Sequence, residues 1–119
     1  LDAFERVELL RCLVAAGSLP ADRIQISLFS GLLVDYVRQL DYPVVVRGLR
    51  SGIDLEFEFQ MAHLNQKLDP KVETVFLATR PEFSSVSSSY VREIGRYGGD
   101  ISQLVPGSIL EKILPRLRG

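Results

Sequence analysis

The sequence predicts an α/β fold, a doubly wound parallel sheet with helices on both faces. Short apolar runs alternate with amphipathic helical patterns, and the runs are rich in β-branched residues. The chain has 119 residues, the usual size of one domain. Hydrophobic residues make up 46% of it, which is typical of a globular protein and excludes intrinsic disorder.

The N-terminal half predicts two helices and two strands. Residues 4–16 show helical spacing of apolar residues and end before Gly17, a common helix stop. Residues 24–29 alternate between apolar and polar side chains, which predicts a short strand. Residues 32–40 return to helical spacing, and residues 42–46 form an apolar run typical of a parallel strand covered on both faces.

The C-terminal half predicts three helices and one strand. Residues 53–68 are interpreted as a helix, because apolar residues keep helical spacing until Pro70 stops the pattern. Residues 74–78 predict a buried strand, and residues 87–97 predict a helix that ends at two glycines. The spacing near the C-terminus predicts a last helix. Because sheets average about five to six strands, three strands for five helices indicate strands outside this sequence.

Charge and composition exclude several kinds of partner. Fourteen basic and fifteen acidic residues leave a formal net charge of −1, which argues against a general nucleic-acid-binding surface. Any anion site must then be made by a few placed arginines. No apolar run approaches the ~20 residues of a membrane span, so no membrane partner is expected. Cys12 is the only cysteine, so no internal disulfide can form and a reducing compartment is expected.

The first candidate anion site is the serine run at residues 87–89, followed by Arg92. It stands where a helix is predicted to begin, and Ser87 is a residue type that favours the N-cap. Backbone N–H groups and the helix dipole stabilise a negative ligand there by ~0.3–1 kcal/mol. Taken alone, the run is explained better as a serine-rich cap with a solvated arginine.

The second candidate anion site, RGLR at residues 47–50, follows the apolar run of a predicted strand. Ligands of open α/β sheets bind at the carboxyl ends of the strands. Gly48 permits close backbone approach, and guanidinium groups fit phosphate oxygens. Two candidate anion sites, each at a predicted strand-to-helix junction, predict that the protein binds a nucleotide and a second phosphorylated substrate. By residue type, either Glu58 or Glu56 on the following helix could accept hydrogen bonds from a ribose.

Several common catalytic motifs do not occur in the sequence. It has no Walker A loop and no G-x-G-x-x-G or G-x-S-x-G motif. His63 is the only histidine and is interpreted as structural. Because no His, Cys and Asp residues have metal-ligand spacing, a structural zinc site is not expected.

The motifs together resemble bacterial phosphopantetheine adenylyltransferases, collinearly over essentially the whole chain. The segments that carry the resemblance are VVVRGLR at 44–50, DLEFEFQMAHLN at 54–65, TVFL at 74–77, SSSYVRE at 87–93 and, more weakly, ERVELL at 5–10. The resemblance implies a Rossmann-like sheet of the nucleotidyltransferase superfamily, with residues 1–119 forming a single domain that is incomplete at its N-terminal side.

The resemblance also implies an activity. Members transfer an adenylyl group from ATP to 4′-phosphopantetheine, giving dephospho-coenzyme A and pyrophosphate, the penultimate step of coenzyme A biosynthesis. It further implies a requirement for Mg²⁺ and a cytoplasmic homohexamer. Coenzyme A is a candidate feedback inhibitor, because it shares the pantetheine arm with the substrate. Two alternatives stay open: a related nucleotidyltransferase of the nicotinamide-mononucleotide type, and a noncatalytic nucleotide- or coenzyme A-binding module.

Carried over by motif, the resemblance assigns residues to two ligands. The ATP site would comprise Gly48, Leu49, Arg50, Glu58 (on the ribose), Phe83, Ser84, Ser85, Val86, Ser87, Ser88 and Ser89. The phosphopantetheine site would comprise Arg47 on the phosphate and Leu32, Leu33, Met61, Leu64, Asn65 and Glu93 along the arm. No catalytic and no metal-binding residue is identified in this sequence.

The chain departs from the family pattern on its N-terminal side. Members begin with a strand and a glycine-rich loop carrying T/H-x-G-H, and a lysine follows their second strand; neither feature is present here. We therefore expect about 40 further residues upstream in the natural protein. The catalytic groups are expected within them, and the chain as written is expected to be catalytically impaired.

Overall fold

A computed structural model describes residues 1–17, 19–41 and 44–118 of the chain. Helices and strands alternate along these residues. The helices are α1 (Ala3–Ala16), α2 (Leu33–Gln39), α3 (Gly52–Leu68), α4 (Ser88–Arg96) and α5 (Gly107–Arg118); the strands are β1 (Val44–Leu49) and β2 (Glu73–Ala78). Single 3-10 turns lie at Ala21–Arg23 and Pro81–Phe83. No helix in the described part of the chain is long and apolar enough to cross a membrane.

The two strands pair in parallel. Val44 lies opposite Glu73 and Leu49 lies opposite Ala78. Helix α3 connects them, so β1, α3 and β2 form a βαβ unit of the kind that alternating strands and helices predict. The parallel pairing and the order of the elements confirm the α/β fold class.

The strand predicted over residues 24–29 is wrong. That segment is irregular and pairs with neither β1 nor β2. Alternating side chains produce a strand only where a neighbouring strand takes up the backbone N–H and C=O groups, and no strand among the described residues does so here. Of the strand predicted over residues 42–46, Tyr42 and Pro43 lie outside the described residues.

Helices begin where the residue types predict. Ser87 caps α4, its Oγ accepting from the backbone N–H three residues later at 3.2 Å. Ser51 caps α3 in the same way, accepting from Asp54 at 3.2 Å. Asp2 and Glu5 form a reciprocal capping box at the start of α1, with both bonds 2.8 Å long. Each cap satisfies N–H groups that the helix leaves unpaired and contributes typically ~1 kcal/mol.

Contacts divide the chain into two compact units, and whether these form a single domain stays a prediction. The helical unit comprises Leu1–Leu28 and Val86–Gly119. The strand unit comprises Phe29–Ser85.

The helical unit is organised around buried side chains on and before α5. Its buried core residues are Ile101, Val105, Ile109 and Ile113. Partly buried apolar residues of α1, α4 and α5 pack on this core. Cys12 of α1 is one of them, and it accepts a hydrogen bond from Lys112 Nζ at 2.8 Å.

The strand unit has a smaller core. Val34 and Val37 of α2 pack with Val72, which precedes β2, and Leu33 and Val45 flank them. This cluster holds α2 against the start of the strands. It therefore fixes the positions of β1 and α3, which carry most of the predicted ligand-binding residues.

Candidate functional site

A forked ion pair joins β1 to α3 in the strand unit. Arg47 Nε donates to Oε2 of Glu58 at 2.8 Å, and Arg47 Nη2 donates to Oε1 at 2.6 Å. The side chain of Glu58 is 14% exposed and that of Arg47 is 52% exposed. The hydrogen bond from Arg47 lowers the pKa of Glu58, and the same bond raises the pKa of Arg47. Both groups therefore stay charged at neutral pH.

A cavity of about 170 Å³ adjoins this ion pair. Its lining residues are Leu33, Val45, Arg47, Phe57, Glu58, Met61, Ala62, Asn65 and Thr74. All of them belong to the strand unit. Mostly apolar walls with a few placed polar groups are typical of a small-molecule site. The charged pair on the wall fits a ligand that carries an anionic group.

Asn65 is the buried polar residue of the cavity wall. It lies on α3 and is 9% exposed. No fully buried side-chain N or O atom among the described residues lacks a hydrogen-bond partner, those of Asn65 included. A carboxamide carries both donors and an acceptor, so a ligand that offers an amide or hydroxyl group can bind Asn65 here.

The RGLR segment forms the carboxyl end of β1 and the turn into α3. The backbone N–H of Arg50 donates to Asp54 Oδ2 at 3.2 Å, and Arg50 Nε donates to the same oxygen at 3.3 Å. A Cβ at Gly48 would meet only the hydroxyl of Thr79, at an ordinary 3.7 Å. Packing within the chain therefore does not require glycine at this position, and close approach of a ligand stays the predicted reason for it.

The structure groups part of the predicted phosphopantetheine set. Leu33, Arg47, Met61 and Asn65 line one cavity, together with Glu58 from the predicted ATP set. Leu32 and Leu64 are about half exposed and do not line it.

The remaining predicted residues are divided between the two units. Six of them belong to the strand unit. Gly48 and Leu49 end β1, Arg50 follows β1, and Phe83, Ser84 and Ser85 follow β2. Val86, Ser87, Ser88, Ser89 and Glu93 belong to the helical unit, at or near the start of α4. Their roles toward ligands stay predictions.

The start of α4 has the cap that its sequence predicts. Ser87 uses its hydroxyl on the helix N–H group described above, and Arg92 Nη2 reaches Ser89 Oγ at 3.4 Å. These contacts confirm the interpretation as a serine-rich cap. An anion role for the same serines stays a prediction.

Sequence reasoning missed two prominent residues of the cavity wall, Phe57 and Thr74. Residues three and four apart share a helix face, so the spacing of Met61 and Asn65 extends back to Phe57. That signal was available in the sequence. The position of Thr74 was not, because it depends on the strand register that places it opposite Val45.

Glu58 and Glu56, which residue type alone could not separate, have different surroundings. Glu58 lines the cavity and binds Arg47. Glu56 is exposed and is not among the residues that line the cavity beside Arg47. Glu58 is therefore the glutamate that adjoins this cavity, and its role toward a ligand stays a prediction.

No cluster of three or more His, Cys, Asp or Glu side chains able to hold a metal ion occurs among the described residues. These residues therefore do not fit a protein-held metal centre.

Comparison with known proteins identifies close relatives, although no family model matches the chain. The chain is 44% identical over 113 residues to a phosphopantetheine adenylyltransferase of Aromatoleum aromaticum, covering 95% of this chain and 67% of the relative. It is 44% identical over 115 residues to the one of Lachnoclostridium phytofermentans, covering 97% and 68%. It is 40% identical over 114 residues to the one of Caldanaerobacter subterraneus, covering 96% and 69%. The chain thus spans about two thirds of the length of these relatives.

Proposed function

The chain belongs to the phosphopantetheine adenylyltransferase family, and from this premise we propose that the cavity of the strand unit binds the substrate 4′-phosphopantetheine. The enzyme transfers an adenylyl group from ATP to 4′-phosphopantetheine. An oxygen of the phosphopantetheine phosphate forms a bond to the α-phosphorus of ATP, and the bond from that phosphorus to the β-phosphate oxygen breaks. Dephospho-coenzyme A and pyrophosphate are the products, in the penultimate step of coenzyme A biosynthesis.

The observation that carries the proposed site is the position of Arg47 on the wall of the cavity. A guanidinium has five N–H donors, and Arg47 donates to Glu58 from Nε and Nη2 only. The Nη1 side is left for another acceptor, and half of the side chain is exposed. A phosphate matches this fork in geometry and in charge. Arg47 is thus suited to hold the phosphate of 4′-phosphopantetheine.

The rest of the cavity suits the pantetheine arm, which combines methylene groups with amides. Leu33, Met61 and Phe57 supply the apolar wall, and the carboxamide of Asn65 supplies a donor and an acceptor. A volume of about 170 Å³ is below the ~300–1,000 Å³ of drug-sized pockets. We therefore assign to it the part of the arm next to the phosphate, not the whole ligand.

The ATP site is proposed at the carboxyl ends of the strands. Gly48 and Leu49 end β1, Arg50 begins the turn into α3, and residues 83–85 follow β2. This is the edge where nucleotides bind in parallel sheets. Residues 86–89 at the start of α4 belong to the helical unit, and the resemblance alone proposes them as nucleotide-binding residues with hydroxyl and N–H donors.

The reaction needs no covalent catalysis by the protein, because the substrate phosphate is already a nucleophile. Holding it in line with the α-phosphorus and neutralising the charge of the transition state supply the rate. Arginine guanidinium groups and helix N–H groups are suited to both tasks. In this chain Arg47 and Arg50 are the residues proposed for them.

Four further features are proposed from the resemblance alone: use of Mg²⁺, a homohexamer, a cytoplasmic location and inhibition by coenzyme A. Because the described residues offer no metal cluster, Mg²⁺ would enter mainly with the phosphate oxygens of ATP, which is common for this ion. Coenzyme A carries the same pantetheine arm as the substrate. Competition between coenzyme A and 4′-phosphopantetheine in a binding titration would test that part.

The activity is tested by measuring pyrophosphate release from ATP by the purified full-length protein. Release is expected with 4′-phosphopantetheine and not without it. Nicotinamide mononucleotide in place of 4′-phosphopantetheine is the control for the related nucleotidyltransferase. Binding of coenzyme A with no release under any condition would support a noncatalytic module and contradict the proposed function.

A further inference from the structure

The two residues of the forked ion pair have been assigned to different substrates. Arg47 is proposed for the phosphate of 4′-phosphopantetheine, and Glu58 is proposed for the ribose of ATP. In the structure these two side chains bind each other through two hydrogen bonds of 2.8 and 2.6 Å. Each substrate must therefore share or replace a contact that the other substrate's residue makes.

The burial of the pair is unequal, and this decides how it responds. Arg47 is half exposed, so water or a phosphate can reach it, whereas Glu58 is largely buried. A buried carboxylate that loses its hydrogen-bond donors is destabilised more than an exposed one. A phosphate that binds the Nη1 side and then turns the guanidinium toward itself draws Arg47 away, and the carboxylate of Glu58 is left in need of new donors. Two ribose hydroxyls are donors of the right kind.

We propose that the Arg47–Glu58 ion pair links the two substrate subsites, so that each substrate makes the other bind more tightly. The inference rests on the proposed function, because it uses the two ligand assignments made there. The first substrate to bind binds more weakly, because the Arg47–Glu58 ion pair must break. The second substrate binds after that pair is broken and does not carry this cost. Such coupling is reciprocal: whichever substrate binds first, the affinity of the other rises by the same factor.

The test is a set of calorimetric titrations of the full-length protein with 4′-phosphopantetheine. They are run with no nucleotide, with saturating α,β-methylene ATP, which cannot transfer its adenylyl group, and with the 2′,3′-dideoxy form of that analogue. The two nucleotides carry the same charge, so their repulsion of the phosphate is equal. Only the first can offer hydroxyls to Glu58. We expect the Kd of 4′-phosphopantetheine to be about fivefold lower with the ribose form than with the dideoxy form.

Two controls isolate the ion pair. Pantetheine, which lacks the phosphate, does not draw Arg47 away, so its Kd is expected to be the same with both nucleotides. Glu58→Gln is expected to bring the fivefold ratio for 4′-phosphopantetheine close to one. Glu56→Gln removes the same charge from the same helix at an exposed position, and it is expected to keep the ratio.

Two results overturn the inference while leaving the proposed function in place. One is a ratio near one in the unsubstituted protein that still binds 4′-phosphopantetheine, which would mean that the pair persists when substrates bind. The other is an unchanged ratio in Glu58→Gln. The ligand pair alone decides the first case, so the test does not depend on how the variant folds. Absence of any 4′-phosphopantetheine binding would instead contradict the proposed function itself, and the inference would fall with it.

Discussion

The helical unit and the strand unit use their apolar residues differently. The helical unit encloses a core around Ile101, which is 1% exposed, and α5. Among its described residues, the strand unit encloses a core of three valines, while Val46 and Leu77 on the strands remain about half exposed. The same unit leaves a cavity walled by Arg47, Asn65 and their neighbours. Side chains that line a ligand cavity cannot also close a core, so binding and packing compete within the strand unit.

The largest predicted effect compares one residue type in the two units. Ile101→Ala in the helical unit should lower the free energy of unfolding by about 3 kcal/mol, because it opens a cavity in a closed core. Ile53→Ala in the strand unit should change it by less than about 0.5 kcal/mol, because Ile53 is 84% exposed. Urea denaturation of both variants measures the difference. Equal losses would contradict the contrast between the units.

The second prediction is that Arg47 and Arg50 bind different substrates. Arg47→Ala should weaken 4′-phosphopantetheine binding by about 2 kcal/mol, since it removes a charged hydrogen-bond donor to the phosphate. Its effect on ATP should be smaller, and Arg50→Ala should show the reverse order. Titration of each variant with each ligand checks this. Losses that are equal for both ligands would refute the assignment.

The third prediction sets binding against packing at one position. Asn65→Leu should change the free energy of unfolding by less than about 1 kcal/mol, because leucine has a similar volume at this buried position. The same change should weaken 4′-phosphopantetheine binding by about 1 kcal/mol through the lost hydrogen bonds. Denaturation and titration of the same preparation measure both. A variant that is less stable and binds normally would mean that the carboxamide serves the fold.

The smallest predicted effect is a dependence of stability on pH. Arg47 holds the pKa of Glu58 below its ordinary value of 4.5, so the carboxylate contributes stability at pH values above 4.5. That contribution is lost as the pH falls through the lowered pKa. The stability difference between the unsubstituted protein and Glu58→Gln should therefore be constant near neutral pH and shrink in acid. Because both side chains are partly exposed, salt should reduce it.

The exposed Glu56 provides the comparison for this effect. The stability difference between the unsubstituted protein and Glu56→Gln should change little over the same pH range. An equal acid dependence in both variants would mean that the effect comes from net charge and not from the ion pair.

Local patterns in the sequence predicted much of this fold. Helical spacing predicted all five described helices, and residue type predicted the cap at Ser87, because both depend on neighbours within a few positions. The segment at residues 24–29 failed for the opposite reason. A strand requires a partner distant in sequence, and alternation alone does not supply one.

For the candidate site too, the sequence predicted the residues but not the contacts between them. Residue identities and the family resemblance indicated Arg47, Glu58 and Asn65 as binding residues. They did not indicate that Arg47 and Glu58 bind each other, because that contact depends on how α3 packs against β1. The position of Thr74 on the cavity wall depends likewise on the register of β2. Contacts between elements are the part that sequence spacing does not encode.

The most direct test of the central claim, that the strand unit carries the phosphopantetheine site, is hydrogen–deuterium exchange of the full-length protein with and without 4′-phosphopantetheine. We expect the ligand to slow exchange in β1 and α3, on either side of Arg47 and Asn65, and to leave α5 unchanged. Protection confined to the helical unit, with β1 and α3 exchanging as before, would contradict it.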